Sequence, residues 1–215
     1  MTTHTHPVDA SVPAGANPAA LYPTLPPPST EGPRKRKCPD CATEVHHTLS
    51  GREAIELEPC PACGGQVAFT SYERIDIALS EYCNLTCQMC RRPSEALFMD
   101  KERCKRVLTE AKRLGIATIS FSGGEPFVHP AIYEILTHAF ELGHRVQMVT
   151  NGTIVKREQL DFLSKLDCLT VSVDGLFEVH DKIRGKEGTF RKTERTLRWL
   201  TETKIQWGTN TVMQR

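Results

Sequence analysis

The stretch that decides the fold runs from residue 74 to residue 90 and has the sequence RIDIALSEYCNLTCQMC. Its first six residues, RIDIAL, alternate polar and apolar side chains, and this alternation predicts a β-strand. Three cysteines, Cys83, Cys87 and Cys90, follow the strand in a C-x3-C-x2-C spacing. The segment therefore predicts a strand that carries a cysteine-rich loop at its carboxyl end.

Beyond this segment, strand-like and helix-like stretches alternate. Gly115 and Gly143 stand where two of the predicted helices end, as C-terminal glycines do. The order β-α-β-α-β predicts a parallel sheet wrapped by helices, and with about five β/α units we expect an incomplete parallel (β/α) barrel. Helices are predicted over residues 100–114, 131–142, 157–166 and 190–203, and further strands over 117–121, 145–150, 168–173 and 205–212.

The cysteine loop has the composition of a metal-cluster site. Sulfur is a soft ligand, so three thiolates in one short loop favour an iron–sulfur cluster. Electron-carrying ferredoxins use a fourth cysteine close behind the third, whereas the next cysteine here is Cys104, on a predicted helix. Three ligands would leave one iron open to another ligand. The alternatives are a zinc site or three unrelated buried thiols; Cys104 and Cys168 are expected to be small buried apolar residues.

The strands that follow are also succeeded by polar or glycine-rich stretches. In parallel barrels the loops after the strands' carboxyl ends build the active site, so these stretches are expected on one rim. Taken alone, Gly-Gly-Glu-Pro and Asp-Gly are ordinary turn sequences, and turn initiation explains Thr150 and Asn151 equally well. The stretches are Ser122-Gly123-Gly124-Glu125-Pro126, Asn151-Gly152 and Asp174-Gly175.

Upstream of the barrel, two C-x2-C pairs predict a second metal site. Cys38 and Cys41 form the first pair, Cys60 and Cys63 the second, and 18 residues separate the pairs. Four thiolates at this spacing suit a tetrahedral ion, most simply structural zinc, with a redox iron as the alternative. We expect residues 34–70 to form a zinc-ribbon-like or rubredoxin-like module that needs its metal to fold.

The remaining features exclude several classes of protein. Residues 1–33 hold eight of the 14 prolines and are predicted to be disordered, and the basic run RKRK at 34–37 is expected to be solvated. With a net charge of +1, the chain has no large excess of positive charge of the kind that binds nucleic acids or anionic membranes. No apolar run approaches the roughly 20 residues of a membrane span, and no secretory signal is visible. The nine cysteines then favour metal use in the reducing cytoplasm.

Taken together, these motifs resemble the radical S-adenosylmethionine (radical SAM) superfamily. The resemblance rests on C-x3-C-x2-C after the first strand and on Gly-Gly-Glu-Pro after the second, and it covers residues 72–215. Residues 172–175 (SVDG), with His180-Asp181 and Arg184-Gly185, are similar to the subgroup of peptide-modifying and cofactor-maturing enzymes. Many members of that subgroup carry an additional C-terminal SPASM domain.

The resemblance implies an enzyme with two cofactors. It would cleave S-adenosylmethionine (SAM) reductively at a [4Fe-4S] cluster, give a 5′-deoxyadenosyl radical, and functionalise a C–H bond of a peptide or small metabolite. A low-potential electron donor of the flavodoxin or ferredoxin type would supply the electron. Glu125 would bind the SAM ammonium group. The implied cluster ligands are Cys83, Cys87 and Cys90, and the implied SAM-binding residues are Met89, Gly123, Gly124, Glu125, Thr150, Asn151, Ser172, Asp174 and Arg195, with Arg184 as a further candidate for the SAM carboxylate.

The sequence departs from the family pattern at two points, one that keeps rival hypotheses open and one that concerns the substrate. The family core usually has six β/α units, whereas this sequence ends after the fifth strand, so we expect an incomplete core over residues 71–215. A non-catalytic iron–sulfur and zinc scaffold, or a truncated relative, is one rival. A nucleic-acid-binding zinc ribbon with a radical SAM remnant is the other, which the near-zero net charge disfavours. Ser120 stands where GTP-cyclising molybdopterin enzymes have an arginine, so GTP is not an expected substrate.

Overall fold

The computed structural model describes residues 34–49, 55–90 and 96–212, so the segment predicted to be disordered lies outside the described residues. Its amino-terminal part consists of two antiparallel hairpins. Each C-x2-C pair lies at the turn of one hairpin, with the first cysteine directly after a strand. The strands are β1 (Arg34–Lys37), β2 (Glu44–His47), β3 (Ile55–Pro59) and β4 (Gln66–Thr70), paired as β1-β2 and β3-β4.

The rest of the described chain is built on one parallel sheet, as the alternation of elements predicts. Its strands are adjacent in sequence order, and each neighbouring pair is parallel, for example with Ile75 opposite Ile119. This confirms the expected partial parallel β/α barrel. The strands are β5 (Arg74–Ala78), β6 (Thr118–Ser122), β7 (Arg145–Thr150), β8 (Cys168–Ser172) and β9 (Trp207–Asn210).

Helices connect consecutive strands of this sheet. The first of them begins at the Asp100 cap, whose side chain accepts a hydrogen bond from Arg103 N at 2.8 Å, and it ends at Gly115 in the left-handed conformation (φ 84°). The helices are α1 (Lys101–Leu114), α2 (Ile132–Glu141), α3 (Leu160–Leu163), α4 (Phe177–Arg184) and α5 (Thr189–Thr201).

The core lies between the sheet and these helices. Ile119, Phe121 and Met148 from the strands pack with Leu136 and Leu200 from the helices, and all five are fully buried. Burying a side chain of this size stabilises the fold by about 1.5–3 kcal/mol, so the sheet forms a rigid base for the loops at its ends. Within the described ranges, no helix combines the length and hydropathy that a membrane span requires.

The basic run 34–37 is not merely solvated, contrary to the sequence prediction. It forms β1, and the Arg36 guanidinium donates to the Ala68 carbonyl and approaches the carbonyls of Lys112 and Arg113 at 3.4 and 3.3 Å. A cation beside the last carbonyls of a helix is favourable, because it meets the negative end of the helix dipole. Arg36 therefore joins the amino-terminal hairpins to α1, and partial burial lowers the pKa of its guanidinium.

Three further sequence predictions differ from the structure. The helix expected over 157–166 is a 3-10 turn, Arg157–Gln159, followed by the short α3. Helix α4 was not expected, because its apolar residues Phe177 and Val179 are exposed while its buried residues, His180 and Arg184, are polar. Cys104 is fully buried as expected, whereas Cys168 is only half-buried.

Candidate functional site

The carboxyl ends of the parallel strands meet around one cavity, at the rim where a β/α barrel carries its active site. The cavity has a volume of about 150 Å³. Cys83, Cys87 and Cys90 line one side of it. Among the other lining residues are Ser122, Gly123, Gly124, Thr150, Asn151, Ser172 and Arg184.

The cysteine loop is attached to the rest of the rim by backbone and side-chain hydrogen bonds. Gln88 N donates to Ile183 O at 2.9 Å, and Thr86 Oγ1 donates to Gly185 O at 3.2 Å, so the loop is bound to the carboxyl end of α4. Within the loop, Cys90 N donates to Cys87 O at 3.1 Å. The three thiols are thus held by the fold before any metal binds.

The two glycines after β6 are required by the neighbouring loop. A Cβ atom at Gly123 would collide with the Ser80 carbonyl, and one at Gly124 with the Tyr82 carbonyl. Gly123 also has a φ of 124°, which a side chain disfavours. The resemblance counts these glycines among the SAM-binding residues, whereas their close neighbour in the structure is the backbone that leads into the cysteine loop.

Glu125 is fully buried behind the cavity, and both of its carboxylate oxygens accept hydrogen bonds. Oε1 accepts from Thr150 Oγ1 at 2.8 Å and from Phe127 N at 3.2 Å, and Oε2 accepts from Asn151 N at 2.7 Å. The carboxylate thereby ties the end of β7 to the Gly-Gly-Glu-Pro turn.

Asn151 connects this network to the cysteine loop. Its Nδ2 donates to Asn84 Oδ1 at 2.9 Å and lies 3.6 Å from Cys83 Sγ, while its Oδ1 accepts from Thr153 N at 2.9 Å. Asn84 also donates to Thr153 Oγ1 at 2.8 Å. The side-chain amide of Asn151 is therefore fixed in one orientation, with its donor toward sulfur.

Two threonines on α5, which the sequence patterns did not indicate, support the loop that follows β7. Thr193 Oγ1 donates to Asn151 O at 2.9 Å, and Thr196 Oγ1 donates to Gly152 O at 2.6 Å. Both side chains are buried. Their spacing of three residues on one helix was the available signal, because it places both on the same face.

Not every sequence-predicted SAM-binding residue reaches the cavity. Ser172 lines it at the end of β8, whereas Asp174 is buried beside it in an ion pair with Arg184. Met89 is half-buried in the cysteine loop and is not among the lining residues. Arg195 is exposed on α5, where its guanidinium lies over the Trp199 ring at 4.9 Å. It is not among the residues that line the cavity.

The thiols differ in their electrostatic surroundings. Burial and the nearby Cys87 raise the pKa of Cys90, while the positive charge of Arg184 opposes this shift. Burial alone raises the pKa of Cys104 to about 11, so this thiol stays protonated at neutral pH. Burial, with a contribution from Arg184, lowers the pKa of His180 and keeps its ring neutral.

A second cysteine group lies in the amino-terminal hairpins. Within the described ranges, the set of potential ligand atoms that all lie within 4.8 Å of one another belongs to Cys38, Cys41, Cys60 and Cys63. Two sulfur pairs, Cys38 with Cys63 and Cys41 with Cys60, are 3.6 Å apart. With a zinc–sulfur bond of about 2.3 Å, a tetrahedral site requires sulfurs roughly 3.8 Å apart, so this set fits a single ion.

Two repeated turns bring these four sulfurs together. Gly64 N donates to Cys60 O at 2.8 Å, and Ala42 N makes the equivalent bond to Cys38 O at 2.9 Å. Both residues after the second cysteine have a left-handed backbone, with φ of 75° at Gly64 and 60° at Ala42. Each turn therefore places its two thiols on the same side.

The thiols of this group are prepared unequally for metal binding. Hydrogen bonds with Thr43 lower the pKa of Cys41 to about 6. The pKa of Cys63 is raised to about 12: the Gly65 N–H, which donates to its sulfur at 3.4 Å, lowers it, but the neighbouring thiols outweigh that bond. A bound cation would remove this difference, because a coordinated thiol is deprotonated outright.

The sulfurs of Cys83, Cys87 and Cys90 do not form such a close set. A single ion cannot hold sulfurs more than about 4.6 Å apart, whereas a cluster of several irons spans a wider gap. The donor set, three thiols and no fourth cysteine ligand in the described lining, fits a cluster with one iron left open. The residues present therefore fit an iron–sulfur cluster better than a zinc ion.

Comparison with known proteins identifies the family. The sequence profile of the radical SAM superfamily matches residues 77–215. This match covers more than half of the chain, so the protein belongs to the radical SAM superfamily. Membership implies binding of SAM and of a [4Fe-4S] cluster, and it confirms the resemblance predicted from the motifs.

Two curated relatives illustrate the range of the family. The chain is 34% identical over 131 residues to the antilisterial bacteriocin subtilosin biosynthesis protein AlbA of Bacillus subtilis (strain 168), covering 58% of this chain and 29% of AlbA. It is 31% identical over 157 residues to the AdoMet-dependent heme synthase of Methanosarcina barkeri, covering 69% of this chain and 45% of that enzyme. The chain thus spans less than half the length of either relative.

The fold also matches a solved structure. Streptococcus suis SuiB bound to S-adenosylmethionine superimposes with a TM-score of 0.60 at 22% sequence identity, covering 67% of this chain and 35% of SuiB. At this identity the match establishes the fold alone.

Proposed function

We propose that this chain is the core of a radical SAM enzyme that cleaves SAM reductively and functionalises a C–H bond of a peptide or small metabolite. In this proposal Cys83, Cys87 and Cys90 hold the [4Fe-4S] cluster. The observation that carries the proposal is that these three thiols line one cavity together with the polar carboxyl ends of three parallel strands.

The remaining cavity residues are proposed to bind SAM. Gly123, Gly124 and Ser172 line the cavity and would present backbone and hydroxyl groups to it. Glu125 would hold Thr150 and Asn151, which line the cavity, in place. The family resemblance further implies a bond between its carboxylate and the SAM ammonium group. Met89, Asp174 and Arg195 stay weaker candidates: Met89 lies in the cysteine loop outside the lining, Asp174 is paired with Arg184, and Arg195 lies over Trp199.

When bound, the cluster and SAM supply the reductive cleavage and the abstraction of a hydrogen atom from the substrate. The chain's own part is to orient these groups and to exclude water from the hydrogen bonds that join Glu125, Thr150 and Asn151. Asn151 and Asn84 fix the cysteine loop, and Glu125 is fully buried, so its charge is little screened by solvent. A low-potential electron donor of the flavodoxin or ferredoxin type and a cytoplasmic location belong to the same proposal.

The four-cysteine group of the hairpins is proposed to hold one structural zinc ion. The close approach of its four sulfurs supports this role, and the small size of the hairpins makes a metal necessary for their folding. A mononuclear iron in the same site is the alternative, since a tetrahedral set of four sulfurs accepts either metal. We propose residues 34–70 as this module and residues 71–215 as the radical SAM core.

Anaerobic reconstitution of the full chain tests the proposed enzyme. The protein is loaded with iron and sulfide, and it is then incubated with SAM and dithionite. We expect 5′-deoxyadenosine and methionine as products, measured by liquid chromatography and mass spectrometry. Cys87→Ala should abolish both the cluster and the products, whereas the matched control Cys104→Ala, at a buried thiol outside the cavity, should retain them.

The same experiment separates the rival hypotheses. A chain that assembles the cluster but forms no 5′-deoxyadenosine would be a non-catalytic scaffold. A chain that contains zinc but no cluster, and that binds RNA or DNA with a steep dependence on salt, would support the nucleic-acid hypothesis.

A further inference from the structure

A buried ion pair lies directly beside one of the three loop cysteines. Arg184 is the last residue of α4, and its Nε lies 2.7 Å from Asp174 Oδ2. The side chains are only 10% and 0% exposed. From the same guanidinium, Nη1 donates to Cys87 Sγ at 3.8 Å. One planar cation therefore connects a carboxylate to a cysteine sulfur.

Both ends of this connection are held by backbone hydrogen bonds. Asp174 Oδ1 accepts from Val212 N at 3.0 Å, and Asp174 N donates to His180 Nδ1 at 3.2 Å. On the other side, the residues that flank Arg184 bind the cysteine loop through Gln88 N and Thr86 Oγ1. Because its neighbours on both sides are attached to this loop, Arg184 stays next to Cys87.

Stability alone does not explain such a pair. Removing two charges from water costs about as much free energy as their attraction returns, and apolar residues of similar volume serve a fold as well or better. The pair does, however, place a positive charge next to a metal-ligand sulfur and a negative charge behind it. Net charge and hydrogen bonds to the sulfurs are the factors that set the potential of an iron–sulfur cluster.

We propose that the Arg184–Asp174 pair sets the reduction potential of the cluster held by Cys83, Cys87 and Cys90. On reduction the cluster takes one electron from an external low-potential donor, no bond breaks, and the negative charge on cluster and thiolates rises by one. Arg184 stabilises this added charge and raises the potential, whereas Asp174 opposes it. This inference rests on the proposed function, since it requires the cluster to be present.

The test is an anaerobic redox titration of the reconstituted full chain without SAM, followed by electron paramagnetic resonance. Arg184→Gln should make one-electron reduction at least tenfold less favourable, a potential lower by about 59 mV. Asp174→Asn should shift the potential upward. Arg184→Lys keeps the charge and should stay closer to the wild type than Arg184→Gln does.

A double variant keeps the test valid if Arg184→Gln, which leaves Asp174 buried without its partner, fails to fold. Arg184→Gln with Asp174→Asn removes both charges, and its potential should lie between those of the two single variants. Iron content is measured for each variant, so that loss of the cluster is not mistaken for a change in its potential.

Opposite shifts from the two single variants, or an upward shift in Asp174→Asn together with a double variant whose potential lies below that of Asp174→Asn, support the proposal. Unmoved potentials, or shifts of the same sign, in variants with full iron content would overturn it. So would a variant Arg184→Gln that changes only the affinity for SAM, because Arg184 would then act on the SAM carboxylate. A wild-type chain that assembles no cluster overturns the proposed function, and this inference with it.

Discussion

The two groups of cysteines in this chain converge in different ways. In the hairpins, two repeated turns bring four sulfurs within 4.8 Å of one another, so the group leaves no position for a further ligand. At the end of β5, three sulfurs line a cavity of about 150 Å³ that they share with polar groups from three other strands. The first arrangement suits a closed structural ion, and the second an open site at which a cofactor is bound.

The difference follows from what each group is built on. The hairpin cysteines lie in short turns whose geometry is set locally by the Gly64 and Ala42 backbone bonds. The loop cysteines depend on distant residues, since Asn151 and Arg184 reach Cys83 and Cys87 from other elements. The closed site is therefore a local property of the sequence, whereas the open site is a property of the whole sheet.

Removing one cysteine from each group should change the metal content of the protein, and this is the largest effect we expect. Cys87→Ala is expected to lose the cluster, about four irons per chain, and to keep the hairpin metal. Cys60→Ala should lose the hairpin metal and keep the cluster. Iron, sulfide and zinc analysis of the anaerobically purified protein measures both, with Cys104→Ala as the control. If either variant lost both metals, the two sites would not be independent.

Glu125→Gln should weaken the open site without removing its cluster. The amide presents a donor where the carboxylate accepts from Thr150 and Asn151, which costs about 1–3 kcal/mol. We expect SAM affinity, measured by equilibrium binding, to fall about tenfold or more, with iron content unchanged. Glu141→Gln, at an exposed position of α2, is the matched control and should bind SAM as the wild type does. Equal SAM affinity in both variants would remove Glu125 from the site.

Acidification should destabilise α4, the helix that binds the cysteine loop, because it carries the buried His180. Burial lowers the pKa of this ring, and Asp174 N donates to its Nδ1, so the folded chain holds it neutral. The unfolded state then binds more protons below the ordinary pKa of about 6.5, and stability falls as the pH drops through that range. The free energy of unfolding should therefore decrease as the pH is lowered from 7.5 to 5.5.

Hydrogen exchange of α4 (Phe177–Arg184) measures this loss locally. His180→Asn keeps an acceptor for Asp174 N but does not titrate in this range, so its exchange should depend less on pH. A variant with the same pH dependence as the wild type would show that another group is responsible.

The smallest effect is expected from exchanging the two turn residues of the closed site. Gly64→Ala places a side chain in the left-handed region, and because nothing lies within 4 Å of its Cβ position, the cost of about 1 kcal/mol is purely one of backbone conformation. Ala42→Gly removes the same strain and should stabilise the metal-bound hairpins by a few tenths of a kcal/mol, roughly. Competition with a zinc chelator should show opposite shifts, and shifts of the same sign would contradict the equivalence of the two turns.

Much of the fold was predictable because it depends on local patterns. The alternation of polar and apolar residues predicts β5, and glycines such as Gly115 mark the carboxyl ends of helices. The closed site is predicted by the spacing of Cys38, Cys41, Cys60 and Cys63. Helix α4 could not be found in this way, because it exposes Phe177 and buries His180, the reverse of an apolar stripe. Its position is determined by contacts with the cysteine loop.

The open site was predictable in its residue types but not in its connections. The motifs identify the three loop cysteines, Glu125 and Ser172 as candidates, yet they carry no information on the pairing of Asp174 with Arg184. Nor does the sequence indicate that Arg195 lies over Trp199, or that Thr193 and Thr196 bind the loop after β7. These contacts depend on which helix face turns toward the rim, and tertiary packing decides that.

The electron paramagnetic resonance spectrum of the reduced, reconstituted chain, recorded with and without SAM, tests whether the three-cysteine site is open and the four-cysteine site closed. We expect a cluster signal that changes on addition of SAM in the wild type and in Cys60→Ala, and that is absent in Cys87→Ala. A cluster signal that SAM leaves unchanged would contradict this expectation, because the site would then offer no open iron.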